Sequence, residues 1–208
     1  MVDCDRKFKL GILGSGKGSN MAAIAAAAAE PSSPFQVALV LSDNADAKIL
    51  TLARQRGLQA RPISSGPLRA RLPESAEKEF IAALREAEVE LVVLAGFMRI
   101  LKAEFIQAFP RRIVNIHPSL LPAFPGLEAW KQAIEHGVKV TGCTVHFVDQ
   151  GVDTGPILAQ QTVPVMADDT PETLHERIQE AERVLYPATI AALARGKVRV
   201  EGRQARII

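Results

Sequence analysis

Three polar side chains of this 208-residue chain are of the types that can act together on one carbonyl: Asn115, His117 and Asp153. Asn115 and His117 sit two residues apart in Val114-Asn115-Ile116-His117-Pro118, a β-branched run that reads as a strand, so both project from one face. A carboxamide donor and an imidazole then address the same reacting atom, and Pro118 stops the strand beyond them. Asp153 stands in a separate loop, Asp149-Gln-Gly-Val-Asp153-Thr-Gly155-Pro156. A carboxylate beside an imidazole favours the imidazolium and fixes its tautomer, which would make His117 a proton donor. The alternative for Asp153 is an acidic turn residue next to Gly155 and Pro156. His136, His146 and His175 lack a same-face amide at a strand end and read as structural histidines.

A different chemistry is written in Gly14-Ser15-Gly16-Lys17-Gly18-Ser19-Asn20, which joins a strand to a helix. Backbone N–H groups and the positive end of the helix converge in such a turn and form an anion site. The glycine spacing is not G-x-G-x-x-G, and Lys17 lies between glycines rather than in a Gly-Lys-Ser/Thr triplet, so neither a dinucleotide fingerprint nor a P-loop fits. Ser19 and Asn20 add side-chain donors suited to one terminal phosphate. A tight turn with Asn20 as the helix cap is the plainer reading.

Both sites need a scaffold that brings strand ends together. Short apolar runs at Phe8–Leu13, Phe35–Leu41, Ala60–Ile63, Val89–Leu94 and Arg112–Ile116 predict strands. Helical patterns at Asn20–Ala29, Ala45–Arg56, Glu74–Glu86 and Leu127–His136 fill the gaps, which predicts an α/β, doubly wound, mostly parallel sheet. In open sheets of this kind ligands bind at the carboxyl ends of the strands. After residue 138, Val140–Val148 and Pro156–Val163 predict an antiparallel pair of edge strands. Pro171–Arg195 predicts a long C-terminal helix capped by Thr170, and Val198–Val200 a last short strand. The Pro/Ser/Gly cluster from Ile63 to Pro73 reads as a mobile surface loop.

With 48% apolar residues, the length suits one domain over residues 1–208. Its phosphate-binding half covers about residues 8–110 and its catalytic half about 89–200. The net charge of +2 arises from 25 basic and 23 acidic residues without blocks, so no nucleic-acid partner is implied. Two cysteines, Cys4 and Cys143, form no C-x-x-C pair, and neither a disulfide framework nor a thiolate metal site is expected. No signal peptide or membrane span is legible, which places the chain in the cytoplasm.

The segments Asn115-Ile-His117-Pro118-Ser-Leu-Leu-Pro122, Gly142-x-Thr144-Val-His146-Phe147 and Asp153-x-Gly155-Pro-Ile157, in that order, resemble the folate-dependent formyltransferases. Ser15-Gly-Lys-Gly-Ser-Asn20 and Leu94-Ala-Gly-Phe-Met-Arg-Ile-Leu101 are most similar to the branch that formylates glycinamide ribonucleotide, and the likeness runs from about residue 9 to 195. The resemblance implies a Rossmann-like formyltransferase fold, 10-formyltetrahydrofolate as co-substrate and the amine of glycinamide ribonucleotide as acceptor, in de novo purine biosynthesis. It implies catalytic roles for Asn115, His117 and Asp153, and phosphate contacts at Gly18, Ser19 and Asn20. It further implies folate contacts at Met98, Arg99, Ile100 and Leu101, an amine contact at Glu182 and a cis Leu121–Pro122 bond. No metal, nucleic acid or membrane enters, and the assembly is a monomer or homodimer.

Two departures stand out. Lys17 occupies a position where the family carries Asn or a small residue, and is expected to face solvent. The arginine that meets the folate glutamate tail has no clear match, with Arg69 or Arg71 as substitutes. Rival readings are a 10-formyltetrahydrofolate hydrolase, whose family carries an extra N-terminal regulatory domain where this chain starts directly at strand one, and a noncatalytic phosphosugar- or folate-binding module. A tRNA formyltransferase would need a further basic domain after the catalytic one, and a nicotinamide dehydrogenase a different glycine spacing.

Overall fold

The computed structural model describes residues 6–66 and 71–208, so Cys4, Arg69 and part of the 63–73 loop lie outside the described residues. Strands β1 (Phe8–Leu13), β2 (Phe35–Ser42), β3 (Ala60–Pro62), β4 (Leu91–Leu94) and β5 (Ile113–His117) pair in parallel. The intervening helices are α1 (Ser19–Ala29), α2 (Lys48–Gln55), α3 (Glu74–Glu86) and α4 (Ala103–Ala108). Strand order β3-β2-β1-β4-β5 reverses direction between β1 and β4, and that reversal opens a crevice at the carboxyl ends of these two strands.

The sheet is parallel because its central strands are apolar on both faces. In β4 every residue is buried, with Leu91 and Val93 in one core and Val92 and Leu94 in the other. One core lies under α1, α2, α5 (Ala129–Glu135) and α6 (Pro171–Ala194), the other under α3 and α4. Beyond β5 the sheet turns antiparallel through β6 (Val140–Phe147) and β7 (Ile157–Pro164). A hairpin of β8 (Val198–Glu201) and β9 (Gln204–Ile207) extends the sheet past β7, so β8 forms the edge. The Val198 strand was anticipated; its partner β9 was not, because Gln204-Ala-Arg-Ile207 is half polar and alternates only weakly.

Several boundaries moved for local reasons. α1 is preceded by Gly18 in a left-handed conformation (φ 82°) and has no side-chain cap, so Asn20 is a helical residue and not the cap. α5 begins at Ala129 because Glu128 is also left-handed. α4 escaped the sequence reading, being six residues long and too short to show a period. Thr170 does cap α6, sharing reciprocal bonds with Thr173, and Pro171 takes the first helical position. Among the described residues no helix is long and apolar enough to cross a membrane.

Candidate active site

The crevice is built by two loops tied together. The Ser15 N–H donates to Gly96 O at 3.0 Å and the Ser15 Oγ accepts from the Met98 N–H at 2.9 Å, joining the glycine-rich turn after β1 to the segment after β4. The first helical bond of α1 runs from Ala22 N–H to Gly18 O, so the amides of Ser19, Asn20 and Met21 precede it and face outward from the helix start. Gly18 is required there twice over: its φ is positive, and a Cβ would lie 2.9 Å from Ile49 Cα. Lys17 is exposed, as expected, and its charge reaches the half-buried His175, which stacks on Trp130 with ring centroids 3.6 Å apart.

After β4 the side chains alternate. Met98 and Ile100 are exposed apolar groups, 55% and 41% accessible, beside the glycine-rich turn, whereas Arg99 and Leu101 turn inward. Arg99 donates from Nε to Asp43 Oδ2 at 2.6 Å and from its terminal nitrogen to Ser65 Oγ at 3.0 Å, in a buried ion pair. Its side chain braces the loops after β2, β3 and β4. Of the four residues implied as folate contacts, Met98 and Ile100 are thus exposed, and Arg99 and Leu101 are buried. Arg71, exposed, bridges Ile100 through its backbone, which puts it beside the same segment.

The third component is the polar cluster on β5 and β6. Asn115 and His117 do share a face, and the antiparallel register sets His146 opposite Asn115 and Thr144 opposite His117. The β6–β7 loop then returns Asp153 over that face. Asp153 Oδ2 lies 3.3 Å from His117 Nδ1 and accepts the Gly126 N–H at 2.9 Å, while Oδ1 lies 3.6 Å from His146 Nε2. Asn115 Nδ2 is 3.4 Å from that same His146 nitrogen. Gly155 makes this return possible, since a Cβ there would sit 1.8 Å from Phe147 O. Asp153 itself holds a left-handed backbone (φ 54°), a strained conformation that aims its carboxylate inward.

His146 was taken for a structural histidine, and the structure puts it in the cluster. The signal was present in the strand pairing: an antiparallel partner to Asn115-Ile-His117 has to place its own alternate residues on the same face.

The loop after His117 is pinned by Thr144, whose hydroxyl donates to Ser119 O at 2.6 Å and accepts the Leu121 N–H at 3.0 Å. Gln160 Nε2 adds bonds to Leu121 O and Thr144 Oγ1. The Leu121–Pro122 bond is cis, as the resemblance implied.

Electrostatics correct one expectation. His117 was expected to be charged through Asp153, yet burial, the largest influence, pulls its pKa below the ordinary histidine value; His146 adds to this, against opposing pulls from Asp153 and Phe124 O. Burial thus favours the neutral ring more than Asp153 alone would allow, while Nε2 lies 2.8 Å from Phe124 O and Nδ1 faces Asp153 Oδ2. For Asp153, burial pushes upward, but the His146 hydrogen bond, the Gly126 N–H and the two imidazoles together hold it below the usual carboxylate range, so it is ionised.

Glu182 joins the site from α6. Its Oε2 accepts from Asn20 Nδ2 at 2.8 Å, linking the long helix to the glycine-rich turn across 162 residues of sequence. Burial pushes its carboxyl up to about 7, against Asn20 and Arg183, which lower it. One helical turn further, Tyr186 points its hydroxyl at Leu94 O and Val114 O, both at 3.0 Å, which seats this part of α6 on β4 and β5. Among the described residues no group of three or more His, Cys, Asp or Glu side chains is arranged to hold a metal ion.

Known proteins resemble the chain over most of its length. Residues 8–190 match the family described as formyl transferase. A phosphoribosylglycinamide formyltransferase of Bacillus subtilis is 41% identical over 89% of this chain and 94% of its own length. The trifunctional purine biosynthetic protein adenosine-3 of Gallus gallus is 43% identical over 93% of this chain, which spans 19% of that much longer relative. The crystal structure of glycinamide ribonucleotide transformylase 1 from Symbiobacterium toebii superimposes with a TM-score of 0.92 at 47% identity, covering 97% of this chain and 94% of that one.

Proposed function

Because the chain belongs to the formyl transferase family, we propose that it transfers the formyl group of 10-formyltetrahydrofolate to the amine of glycinamide ribonucleotide, a step of de novo purine biosynthesis, in the cytoplasm. The observation that carries this reading is the convergence at the carboxyl ends of the central strands of a glycine-rich turn at a helix start, an exposed apolar segment and the Asn115–His117–Asp153 cluster. A phosphate on the Gly18–Ser19–Asn20 amides would hold the ribonucleotide at one end. Met98 and Ile100 fit the flat face of a reduced pterin, and Arg71 lies near enough to this segment to meet its acidic tail. All of this happens within one domain, active as a monomer or homodimer, without metal or nucleic acid.

Chemically, attack of the amine on the formyl carbon puts negative charge on the formyl oxygen, and stabilising that charge is the main task. The Phe124 carbonyl, 2.8 Å from His117 Nε2, shows where an oxygen accepts from this ring. In the reaction the formyl oxygen takes that bond, with Asn115 Nδ2 as second donor. Asp153 stabilises the imidazolium character that His117 gains as the oxyanion develops, and a water held by its carboxylate moves the proton from the attacking to the leaving nitrogen.

The test is absorbance-monitored transfer from a 10-formyl folate with and without glycinamide ribonucleotide, alongside His117→Ala. Transfer that depends on the ribonucleotide and collapses in the variant supports the assignment. Turnover without ribonucleotide would make the chain a hydrolase instead, and binding of both ligands without transfer would leave a binding module.

A further inference from the structure

Asp153 faces His117 from a strained backbone. Its carboxylate lies 3.3 Å from His117 Nδ1, yet its φ of 54° is left-handed, a conformation that persists in a non-glycine residue only where neighbouring contacts enforce it. Those contacts fall on the next residue, Thr154. We propose that Arg203, at the tip of the β8–β9 hairpin, is a positioning residue for formyl transfer: its bond to the Thr154 carbonyl holds Asp153 against His117. The inference rests on the role given to Asp153 above.

Thr154 is held from two sides. Its hydroxyl donates to Asp149 Oδ1 at 2.6 Å, and the same oxygen accepts the Gly151 N–H at 3.1 Å, which closes the loop on itself. Its carbonyl accepts from Arg203 Nη2 at 2.9 Å, across 49 residues of sequence. Gly155, the following residue, is already packed against the Phe147 carbonyl, so the peptide beyond Thr154 is fixed as well. Without Arg203, the hydrogen bonds of Thr154 on this side are lost and only the bond inside its own loop is left. Asp153 is then free to relax out of the left-handed region.

The hairpin can serve as a brace because it is anchored to the body of the protein. Val198, Val200 and Ala205 pack against the core under α1, α2, α5 and α6, and Gln204 pairs with Ile157 of β7. The Ile208 N–H donates to Lys197 O at 2.8 Å, which closes the open end of the hairpin. Glu201 pairs with Gln204, so only Gly202 and Arg203 form the turn, and Gly202 supplies the positive φ, 59°, that such a two-residue turn needs. Arg203 thus leaves a tight turn directly beside the loop that carries Asp153.

Arg203 acts through the backbone and not through its charge. Asp153 is shifted by burial, His146, the Gly126 N–H and His117; His117 is shifted by burial, Asp153, the Phe124 carbonyl and His146. Arg203 is not among these groups, so its removal changes the chemistry only if Asp153 moves. Asp153 raises the pKa of His117 against burial. A displaced carboxylate therefore leaves burial less opposed, and the imidazole titrates at lower pH.

The test follows the His117 ring C–H resonance of the full chain by NMR as pH is varied, beside formyl transfer. Arg203→Ala is expected to lower kcat about tenfold, the worth of one hydrogen bond from a charged donor, with the ribonucleotide KM unchanged. The same variant should move the His117 titration to lower pH. Arg203→Lys, which keeps a charged donor, is expected to restore both. In an Asp153→Asn background, adding Arg203→Ala should lower kcat no further, because the two residues act as one unit. An alanine variant whose His117 titrates as in the wild type, or whose loss of kcat is undiminished in that background, would overturn the proposal and leave Arg203 a contact of the fold alone. A shifted titration in a chain without ribonucleotide-dependent transfer would remove the assigned reaction and still support Arg203 as the brace of Asp153.

Discussion

Replacing Glu182 by Gln should make the protein more stable near and above neutral pH. Burial raises this carboxyl from 4.5 to about 7, so the folded protein binds its proton more tightly than the unfolded chain does. The resulting stabilisation is complete below pH 4.5 and is lost as pH rises through about 7. At about 1.4 kcal/mol for each pH unit, ionised Glu182 costs the fold about 3 kcal/mol relative to its protonated form. Glutamine keeps an acceptor for Asn20 Nδ2 and never ionises. Denaturant unfolding followed across pH should therefore show a difference between variant and wild type that is small and level on the acid side. It should grow through the interval up to neutrality and saturate near about 3 kcal/mol in favour of Gln. A difference independent of pH would refute the reasoning, because it would mean that Glu182 is solvated well enough to titrate as it does in the unfolded chain.

Other consequences are equally concrete. Asp153→Asn keeps the shape but not the charge, and should lower kcat by about 10²–10³-fold with modest change in the ribonucleotide KM, measured by the same transfer assay. Gly155→Ala forces a Cβ against the Phe147 carbonyl and should destabilise the fold by about 1–3 kcal/mol in equilibrium unfolding, with activity falling as Asp153 is displaced. His117 titrates below 6.5 in the folded protein, so between that folded value and 6.5 the unfolded chain binds more protons and stability rises with pH. His117→Gln should flatten that part of the stability profile, and an unchanged slope would place the effect elsewhere. Tyr186→Phe leaves Leu94 O and Val114 O without their hydroxyl partner and should cost about 1–3 kcal/mol by denaturant titration.

The reading of elements succeeded where periodicity is strong and failed where it is short. Phe8–Leu13 and Glu74–Glu86 have the predicted bounds, since an apolar run or an amphipathic period between breakers leaves one local solution. α4 and β9, at six and four residues, carry too few positions for a period to show. Asn20 drew attention as a cap, and its side chain instead spans to α6, a role that no local rule reveals.

The site divides in the same way. Asn115 and His117 were legible as a pair because strand alternation is a local property of the backbone, and the glycine-rich turn because strand-to-helix turns of that composition have few other uses. The meeting of Asp153 with His117, the recruitment of His146, the inward turn of Arg99 and the bond from Asn20 to Glu182 all depend on which strands become neighbours. Likewise, sequence suggests that His117 gains charge from Asp153, whereas burial reverses the direction. Residue type and spacing therefore determined which chemistry was available. Packing decided the partners and the protonation states, because desolvation and hydrogen-bond geometry exist only once distant segments share an interior.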